Sequence, residues 1–303
     1  MSRIGTLIAL LMTGVAVALV SAAVAAEQPR AASSAASSAA SSATSSAASS
    51  AAGSAATTAD QPRAAGSSYR LMQMNLCSTG YAGCYAATQY PKVVDDAIGQ
   101  IEAVDPNAVT LNEACRGDAE RIAAETGYHV GFATVIYDGA PLPCRNPDGR
   151  GVFGNAVLTK ERIRTSAGQP YAAQAGVEER RWQCATTVRE VTVCASHLST
   201  RGSDAARAAN QAQCQELSEV LAQYAAAGPT AFGGDVNRAS SCAAPGMVTL
   251  TDAAAGRLGG IQHIYLSSEF RSPEADVVPA VYTDHDFLVA HGRLAPSRMR
   301  AGG

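Results

Sequence analysis

The first 67 residues offer almost nothing from which a hydrophobic core could be built, which limits how much of this 303-residue chain can fold. Residues 1–26 contain an early arginine, an apolar run and small residues before Glu27, the pattern of an export signal. Residues 27–67 form an Ala/Ser-rich low-complexity segment without an apolar face, so we expect a linker. Subtracting 67 from 303 leaves 236 residues, and we expect one domain over residues 68–296 and a tail over residues 297–303.

Charge and motif content exclude several classes of function. The chain has 23 basic and 26 acidic residues, so any contact with nucleic acid would have to be local. The sequence contains no GxxxxGK[ST], HExxH, CxxC or GxSxG motif. After the first apolar run no other is long enough to span a bilayer. We therefore expect a secreted, extracellular protein with no stable membrane insertion once the signal is cleaved, and nothing in the sequence indicates an oligomer.

Apolar periodicity predicts a domain of many strands and few helices. The predicted strands cover residues 69–76, 108–112, 128–137, 152–159, 182–188, 191–196, 230–232, 261–266 and 287–290. The predicted helices cover residues 92–103, 118–126 and 204–226. The third helix places Cys214, Leu217, Leu221 and Tyr224 on one face and ends at a Gly-Pro pair. This pattern favours an α+β fold in which sheets pack face to face with helices outside.

All eight cysteines lie after the linker. An exported chain and an even count favour disulfides over thiolate metal sites, which usually contain close CxxC pairs. Eight cysteines allow 105 pairings, so the connectivity stays open. Proximity along the chain favours four local bridges: Cys77 with Cys84, Cys115 with Cys144, Cys184 with Cys194, and Cys214 with Cys242.

Five short segments place polar side chains at the ends of predicted strands. The segments are MQMNLC with Asn75, VTLNEAC with Glu113, CASHLS with His197, FGGDVN with Asp235 and Asn237, and YTDHDF with Asp284 and His285. Each is weak alone, because a strand-end asparagine often caps a turn and a lone histidine is often structural. Together they offer oxygen ligands for Mg²⁺ or Mn²⁺, a base for water and two imidazoles. This set suits hydrolysis of a phosphate ester.

In their order along the chain, these segments resemble the motifs of the endonuclease/exonuclease/phosphatase superfamily, which has the DNase I-like fold. The matching residues are Asn75, Asn112-Glu113, His197-Leu198, Gly234-Asp235-Val236-Asn237 and Thr283-Asp284-His285. The resemblance extends from about Tyr69 to Leu294. It implies a four-layer α/β/β/α sandwich of two mixed sheets, here disulfide-bonded, with the site at one end of the sheets.

The resemblance also implies a role for each matching residue. The metal ligands would be Glu113, Asn75 and Asp284, and the ion would be Mg²⁺ or Mn²⁺, with Ca²⁺ as a third candidate. The catalytic residues would be Asp235, which activates water, Asn237, which holds the water or a phosphate oxygen, and His197 and His285, which stabilise the transition state. Asn112 and Asn155 would support these side chains. His129, His263 and His291 match no motif, and we expect core or surface roles for them.

One position departs from the family pattern. The segment GIQHI has Gln262 where the family has an aspartate that hydrogen-bonds the histidine of the last motif. We expect Gln262 to accept the imidazole N–H of His285 without supplying a charge, so that His285 is protonated less readily than in relatives. The prediction is an active enzyme with an altered pH profile. The alternative is a catalytically weakened binding protein.

The substrate is much less constrained than the reaction. Candidate contacts are Tyr81, Arg116, Arg145, Arg150 and the Arg180-Arg181-Trp182 segment, since arginine pairs with phosphate and aromatic rings stack on bases. Solvated loops are an equally good interpretation of each. We expect a nuclease, and a secreted phosphatase or a sphingomyelinase-type phospholipase is the alternative. An interfacial lipase would need an exposed apolar hairpin, for which five phenylalanines and one tryptophan leave little material.

Overall fold

The computed structural model describes residues 66–296. The predicted export signal (1–26), residues 27–65 of the predicted linker and the predicted tail (297–303) lie outside the described residues. Within residues 66–296, no helix has the length and apolar character needed to cross a membrane.

The described residues form fifteen strands and four helices. In chain order the strands are β1 (Ser67–Asn75), β2 (Ala108–Cys115), β3 (His129–Thr134), β4 (Ile136–Tyr137), β5 (Ala140–Pro141), β6 (Phe153–Thr159), β7 (Ile163–Pro170), β8 (Glu178–Glu179), β9 (Arg181–Thr187), β10 (Thr192–His197), β11 (Thr230–Asp235), β12 (Val248–Thr251), β13 (Gln262–Leu266), β14 (Phe270–Val278) and β15 (Phe287–Leu294). The helices are α1 (Tyr85–Thr88), α2 (Lys92–Val104), α3 (Arg116–Thr126) and α4 (Asp204–Ala227).

Two six-stranded mixed sheets form the centre of the fold. The first has the order β14-β15-β1-β2-β6-β3 and the second has the order β12-β13-β11-β10-β9-β7. Each sheet contains one central parallel pair, β1 with β2 and β10 with β11, among antiparallel neighbours. A small third sheet has the order β5-β4-β8.

Three of the four clusters of buried apolar residues form layers that explain the architecture. Leu71, Val193 and Ile264 belong to the layer between the two sheets. Helices α2 and α3 cover the outer face of the first sheet, for example through Ile101. Helix α4 covers the outer face of the second sheet, where Leu217 packs with other buried residues. The predicted α+β, four-layer α/β/β/α sandwich of two mixed sheets is therefore confirmed.

The strands that the sequence pattern failed to predict are at the edges of the sheets. Strand β7 is the edge of the second sheet and is exposed along almost its whole length, and β12 is the opposite edge. Strand β14 is the edge of the first sheet and contains Pro273. Edge strands bury little surface and tolerate proline and charge, so their apolar periodicity is weak.

Two glycines near the site allow close approach of the backbone, one between the two sheets and one between neighbouring strands. A Cβ atom on Gly233 would lie 2.2 Å from Thr110 Oγ1 of the facing sheet. A Cβ atom on Gly234 would lie 2.2 Å from the backbone oxygen of Ser196 on β10. Any side chain at Gly233 would therefore push the sheets apart just before Asp235.

The four predicted disulfides are all present. Cys184 and Cys194 are directly opposite each other in the β9–β10 ladder. The other three bridges join Cys77 after β1 with Cys84 before α1, Cys115 at the end of β2 with Cys144 after β5, and Cys214 within α4 with Cys242 after β11. Cys77 follows β1 and Cys115 ends β2, and these strands are parallel neighbours, so two of the bridges lie at the same end of the first sheet. The predicted face of α4 is also confirmed, because Cys214, Leu217 and Leu221 are buried.

Candidate active site

The carboxyl ends of the two central parallel pairs form the candidate site. In the first sheet Asn75 on β1 is in register with Asn112 on β2. In the second sheet His197 on β10 is in register with Asp235 on β11. Carboxyl ends of parallel strands lie at one edge of a sheet, and the two sheets face each other, so polar strand ends from both meet.

Glu113 is presented by an irregularity in β2. The ladder between β2 and β6 shifts register between Leu111 and Ala114, and Glu113 has a φ of 51°. A β-bulge redirects a side chain, and a left-handed conformation is unusual for glutamate, so the backbone here serves placement rather than pairing. Glu113 Oε1 accepts a hydrogen bond from Asn75 Nδ2 at 3.3 Å. Burial raises the pKa of Glu113 to about 7, because desolvation of the carboxylate outweighs the hydrogen bond from Asn75 and the charge of Arg180.

Asp235 is buried and held by both sheets. Its Oδ1 accepts from the backbone N–H of Asn237 at 2.9 Å, and its Oδ2 accepts from Asn75 Nδ2 at 3.2 Å. His285 Nε2 lies 3.5 Å from Oδ2. Burial raises the pKa of Asp235 above its ordinary value, an effect that the His285 charge and these hydrogen bonds oppose. The carboxylate is therefore more basic than one in water.

The amide of Asn237 fixes the orientation of the His197 ring. Asn237 Nδ2 donates to the backbone oxygen of Leu198 at 3.0 Å and lies 3.0 Å from His197 Nε2. Because the amide nitrogen is the donor, Nε2 of a neutral ring accepts and Nδ1 carries the proton. Nδ1 is buried, has no hydrogen-bond partner among the described residues and lies 3.9 Å from Glu113 Oε1. Burial and the Arg180 and His285 charges hold the pKa of His197 well below its ordinary value.

Residues of the last predicted motif lie against the same cluster. Thr283 Oγ1 donates to the backbone oxygen of Asn75 at 2.9 Å, which ties this segment to β1. The ring of His285 is buried, and within residues 66–296 its Nδ1 has no hydrogen-bond partner. Asp284 is half-buried, and its charge contributes to the raised pKa of Glu113.

A buried asparagine connects the two sheets behind the site. Asn112 Oδ1 accepts from the backbone N–H of Asp235 at 2.7 Å and from Gln73 Nε2 at 2.9 Å. Its Nδ2 donates to Asn155 Oδ1 at 2.9 Å and to the backbone oxygen of Ser196 at 3.1 Å. The amide therefore uses all four of its hydrogen-bonding positions. Asn112 and Asn155 lie where sequence reasoning placed them, behind the candidate site.

Asn75 does not present an oxygen to the cluster, in contrast to the predicted ligand role. Its Oδ1 accepts from the backbone N–H of Cys77 at 3.2 Å, and its Nδ2 faces Glu113 and Asp235. Both carboxylates require a donor and the Cys77 N–H requires an acceptor, so the amide orientation follows from its partners. Asn75 holds the two carboxylates together in this arrangement.

The predicted contact between Gln262 and His285 is also wrong. Gln262 Nε2 donates to Asp252 Oδ2 at 3.1 Å and to the backbone oxygen of Asp286 at 2.6 Å. Its Oε1 lies 3.4 Å from Gln73 Nε2. Gln262 sits on β13 opposite Asp235, so its side chain enters the buried layer behind the site and is satisfied there. Two of its partners, Gln73 and Asp252, were missed by sequence reasoning. Gln73 shares the face of β1 that carries Asn75, and no comparable signal marks Asp252.

Of the predicted substrate contacts, Arg150, Arg180 and Trp182 are buried, whereas Tyr81, Arg116, Arg145 and Arg181 are partly or fully exposed. Arg150 is buried, lies 2.8 Å from Asp118 Oδ2 and faces the Tyr90 ring at 4.3 Å, so its predicted role in substrate binding is wrong. Arg145 lies over the exposed Tyr81 ring at 4.0 Å. Arg116 is partly exposed and lies over the Phe132 ring at 4.6 Å.

The donor set fits a hard divalent cation. Glu113, Asp235 and Asp284 carry carboxylate oxygens, the ligand type that such an ion prefers, although among the described residues these three groups do not all lie within 4.8 Å of one another. One oxygen of Glu113 and the sulfurs of Cys77 and Cys84 lie within 4.8 Å of one another. These sulfurs form a disulfide and have no thiolate to offer, so this second cluster does not fit a metal.

Comparison with solved structures identifies the fold. An endonuclease/exonuclease/phosphatase from Beutenbergia cavernae DSM 12333 has a TM-score of 0.57 and 23% identity, over 76% of this chain and 73% of that chain. The human Nocturnin catalytic domain with bound sulfate anion has a TM-score of 0.54 and 17% identity, over 77% of this chain and 95% of that one. D. rerio TDP2 complexed with single strand DNA product has a TM-score of 0.52 and 10% identity, over 74% and 98%. No protein-family model and no curated protein matches the sequence. The chain therefore has the DNase I-like fold of endonuclease/exonuclease/phosphatase proteins.

Proposed function

We propose that this protein is a secreted, divalent-metal-dependent phosphoesterase that hydrolyses phosphodiester bonds, and that its substrate is nucleic acid. The observation that carries the proposal is the convergence of Glu113, Asp235, His197 and His285 at the facing ends of two sheets, with hydrogen-bonded amides between them. A core built for packing alone would not collect desolvated carboxylates and unpartnered imidazoles at one point. The similar TDP2 structure, which contains a single strand DNA product, supports the choice of substrate.

Asp235 is the residue that orients and deprotonates the attacking water. Its Oδ1 is fixed by the N–H of Asn237, and its Oδ2 is fixed by Asn75. Burial raises its pKa, which makes it a stronger base than a solvated aspartate. Two hydrogen bonds hold the carboxylate in one orientation, so little reorganisation is needed when the proton is transferred.

The two histidines stabilise the charge that develops on the phosphate oxygens. His197 is neutral near pH 7 and offers the N–H at Nδ1, which no described residue accepts. His285 Nε2 lies 3.5 Å from Asp235 Oδ2, and its Nδ1 likewise has no hydrogen-bond partner among the described residues. Preorganised donors in a dry site stabilise developing negative charge more than water does.

Glu113 and Asp284 would hold the divalent ion, Mg²⁺ or Mn²⁺, with Ca²⁺ as the third candidate. The bound ion supplies Lewis-acid polarisation of a phosphate oxygen and neutralises charge. Asn75 keeps Glu113 and Asp235 at a fixed separation through its two N–H bonds. Secretion is part of the proposal because residues 1–26 have the pattern of an export signal and eight cysteines pair in four disulfides.

The test is hydrolysis of plasmid DNA, RNA, bis(4-nitrophenyl) phosphate, 4-nitrophenyl phosphate and sphingomyelin, each with Mg²⁺, Mn²⁺, Ca²⁺ or EDTA. We expect metal-dependent cleavage of nucleic acid and of the generic diester. Glu113→Gln and Asp235→Asn should each lower kcat by at least about a hundredfold. Rapid turnover of the monoester or of sphingomyelin without nucleic acid cleavage would favour the phosphatase or phospholipase alternative.

Arg164→Gln is the matched control. Arg164 is exposed and pairs with Glu190. It lies near the start of β7, whereas the other end of β7, at Pro170, pairs with Arg181 on the side of the site. Its removal should leave kcat and KM unchanged. Activity that persists in both the Glu113→Gln and Asp235→Asn variants would refute the assignment of the site.

A further inference from the structure

A pocket of about 230 Å³ lies next to the candidate active site. Ser199 and Thr200 line it, and they follow His197 by two and three residues. Tyr137, Glu178 and Arg180 also line the pocket. The hydrogen bond from Asn237 Nδ2 to the backbone of Leu198 fixes the segment that separates the pocket from the site. A group bound here would therefore be attached close to the reacting phosphate.

The pocket wall contains a donor and an acceptor that both lack partners. Arg180 Nη2 donates to Glu178 Oε2 at 3.0 Å. This bond uses neither Arg180 Nη1 nor Glu178 Oε1. Both of these atoms are buried, and neither has a hydrogen-bond partner within residues 66–296. Only 9% of the Arg180 side chain is exposed, so water satisfies it poorly. A small movement of the two side chains toward the pocket would bring these atoms into reach, and a ligand that then completes the pair must offer both an acceptor and a donor.

This requirement argues against a phosphate as the occupant. A phosphate ester offers acceptors and would face the Glu178 carboxylate, while the guanidinium charge is already shared with that carboxylate. The edge of a nucleobase presents a donor and an acceptor side by side. The volume is below the roughly 300–1,000 Å³ of pockets that hold drug-sized ligands, which suits one base.

The third sheet supplies a surface for stacking. Tyr137 on β4 is paired directly with Glu178 on β8, and directly paired residues project from the same face of a sheet. Tyr137 is 41% exposed although it is held in this ladder, and the neighbouring Val177 is also exposed. The backbone bond from Asp138 N–H to Val177 at 2.8 Å fixes the turn. An exposed tyrosine ring on a hydrogen-bonded backbone can serve as a platform on which a base stacks.

We propose that this pocket binds a nucleobase of the substrate, next to the scissile phosphate, by stacking on Tyr137 and by hydrogen bonds to Glu178 and Arg180. The inference rests on the proposed function, because it makes the site selective for nucleotides over other phosphodiesters. Arg180 also links the pocket to the site, since its charge lowers the pKa of Glu113 and of Asp235 against the effect of burial.

The experiment is a scan of single-stranded DNA and RNA octamers, each with one abasic residue at a different position. Mass spectrometry of the products gives the rate of cleavage at every linkage. We expect the cleavage rate to fall roughly tenfold, relative to the intact octamer, at one linkage, and this linkage should lie at the same number of nucleotides from the abasic residue in every octamer. Tyr137→Ala and Glu178→Gln should abolish this dependence on position. Glu179→Gln is the matched control, because Glu179 is the next residue on β8 and pairs with Arg181 instead.

A second measurement tests the pocket by ligand binding and does not require catalytic turnover. Calorimetric binding of a nucleoside monophosphate and of ribose 5-phosphate in EDTA should show a roughly tenfold preference for the nucleotide, which both pocket variants lose. Two results would overturn the base pocket: equal cleavage at all offsets from the abasic residue, or equal binding of the two compounds. The base pocket would also be refuted if cleavage fell only when a flanking phosphate was replaced by a neutral methylphosphonate. A nucleotide preference without hydrolysis of any diester would instead refute the proposed function and leave the pocket standing.

Discussion

Replacing Asn112 with alanine should destabilise the protein and disturb the candidate site together. The side chain makes four buried hydrogen bonds, of which two reach the opposite sheet through the Asp235 N–H and the Ser196 backbone oxygen. Each net hydrogen bond contributes about 1 kcal/mol, so the loss amounts to about 4 kcal/mol. Domains of this size have about 5–15 kcal/mol of stability, and the variant should therefore fold but unfold at much lower urea concentration.

Asn155→Ala provides the graded comparison. Asn155 shares one of the four bonds, at 2.9 Å, so its removal should cost about 1 kcal/mol. The double variant should cost less than the sum of the two by about the same amount, because both single changes remove that shared bond. Equilibrium urea unfolding followed by circular dichroism gives all three values.

Activity supplies a second readout for Asn112. The Asp235 N–H is anchored at 2.7 Å by Asn112, so its loss lets the carboxylate shift, and kcat should fall about 10- to 100-fold with little change in KM. Asn155→Ala should change kcat much less. A free-energy loss below about 1 kcal/mol for Asn112→Ala, or equal losses for the two single variants, would refute the view that Asn112 joins the two sheets.

Three further changes test the packing around the site, each by urea unfolding at pH 7. Gln262→Asp should destabilise by about 2–3 kcal/mol, because it places a carboxylate against Asp252 and removes two donated bonds. Gly233→Ala should cost at least about 1–3 kcal/mol because its Cβ would lie 2.2 Å from the facing sheet, whereas Gly99→Ala, on an open helix face, should stabilise by up to about 1 kcal/mol. Arg150→Gln should cost about 3–5 kcal/mol by leaving a buried aspartate unpaired, and should leave KM for nucleic acid unchanged.

A different result would contradict each of these three predictions. A more stable and more active Gln262→Asp protein would mean that this position supports His285 after all. A Gly233→Ala protein as stable as the Gly99→Ala control would show that the sheets have room to separate. A large rise in KM for Arg150→Gln without loss of stability would restore its predicted role in substrate binding.

The sequence alone determined the architecture because the information is local or periodic. The buried central strands carry apolar runs, and α4 carries one apolar face, so their positions follow from the pattern. The disulfides also follow, since every bridge joins cysteines within 29 residues of each other. Strand-end polar residues in family order gave the candidate site. The edge strands gave no such signal, because they bury too little surface to require a regular pattern.

The tertiary structure alone decided which partner each polar side chain has. Gln262 and Asn75 stand at positions that sequence reasoning recognised, yet their hydrogen bonds go to Asp252 and Cys77 rather than to the predicted partners. Arg150 reads as a loop arginine, and only the fold brings Asp118 to within 2.8 Å of it. The physical reason is that a buried polar atom bonds whatever lies within about 3 Å, and that neighbour comes from distant parts of the chain.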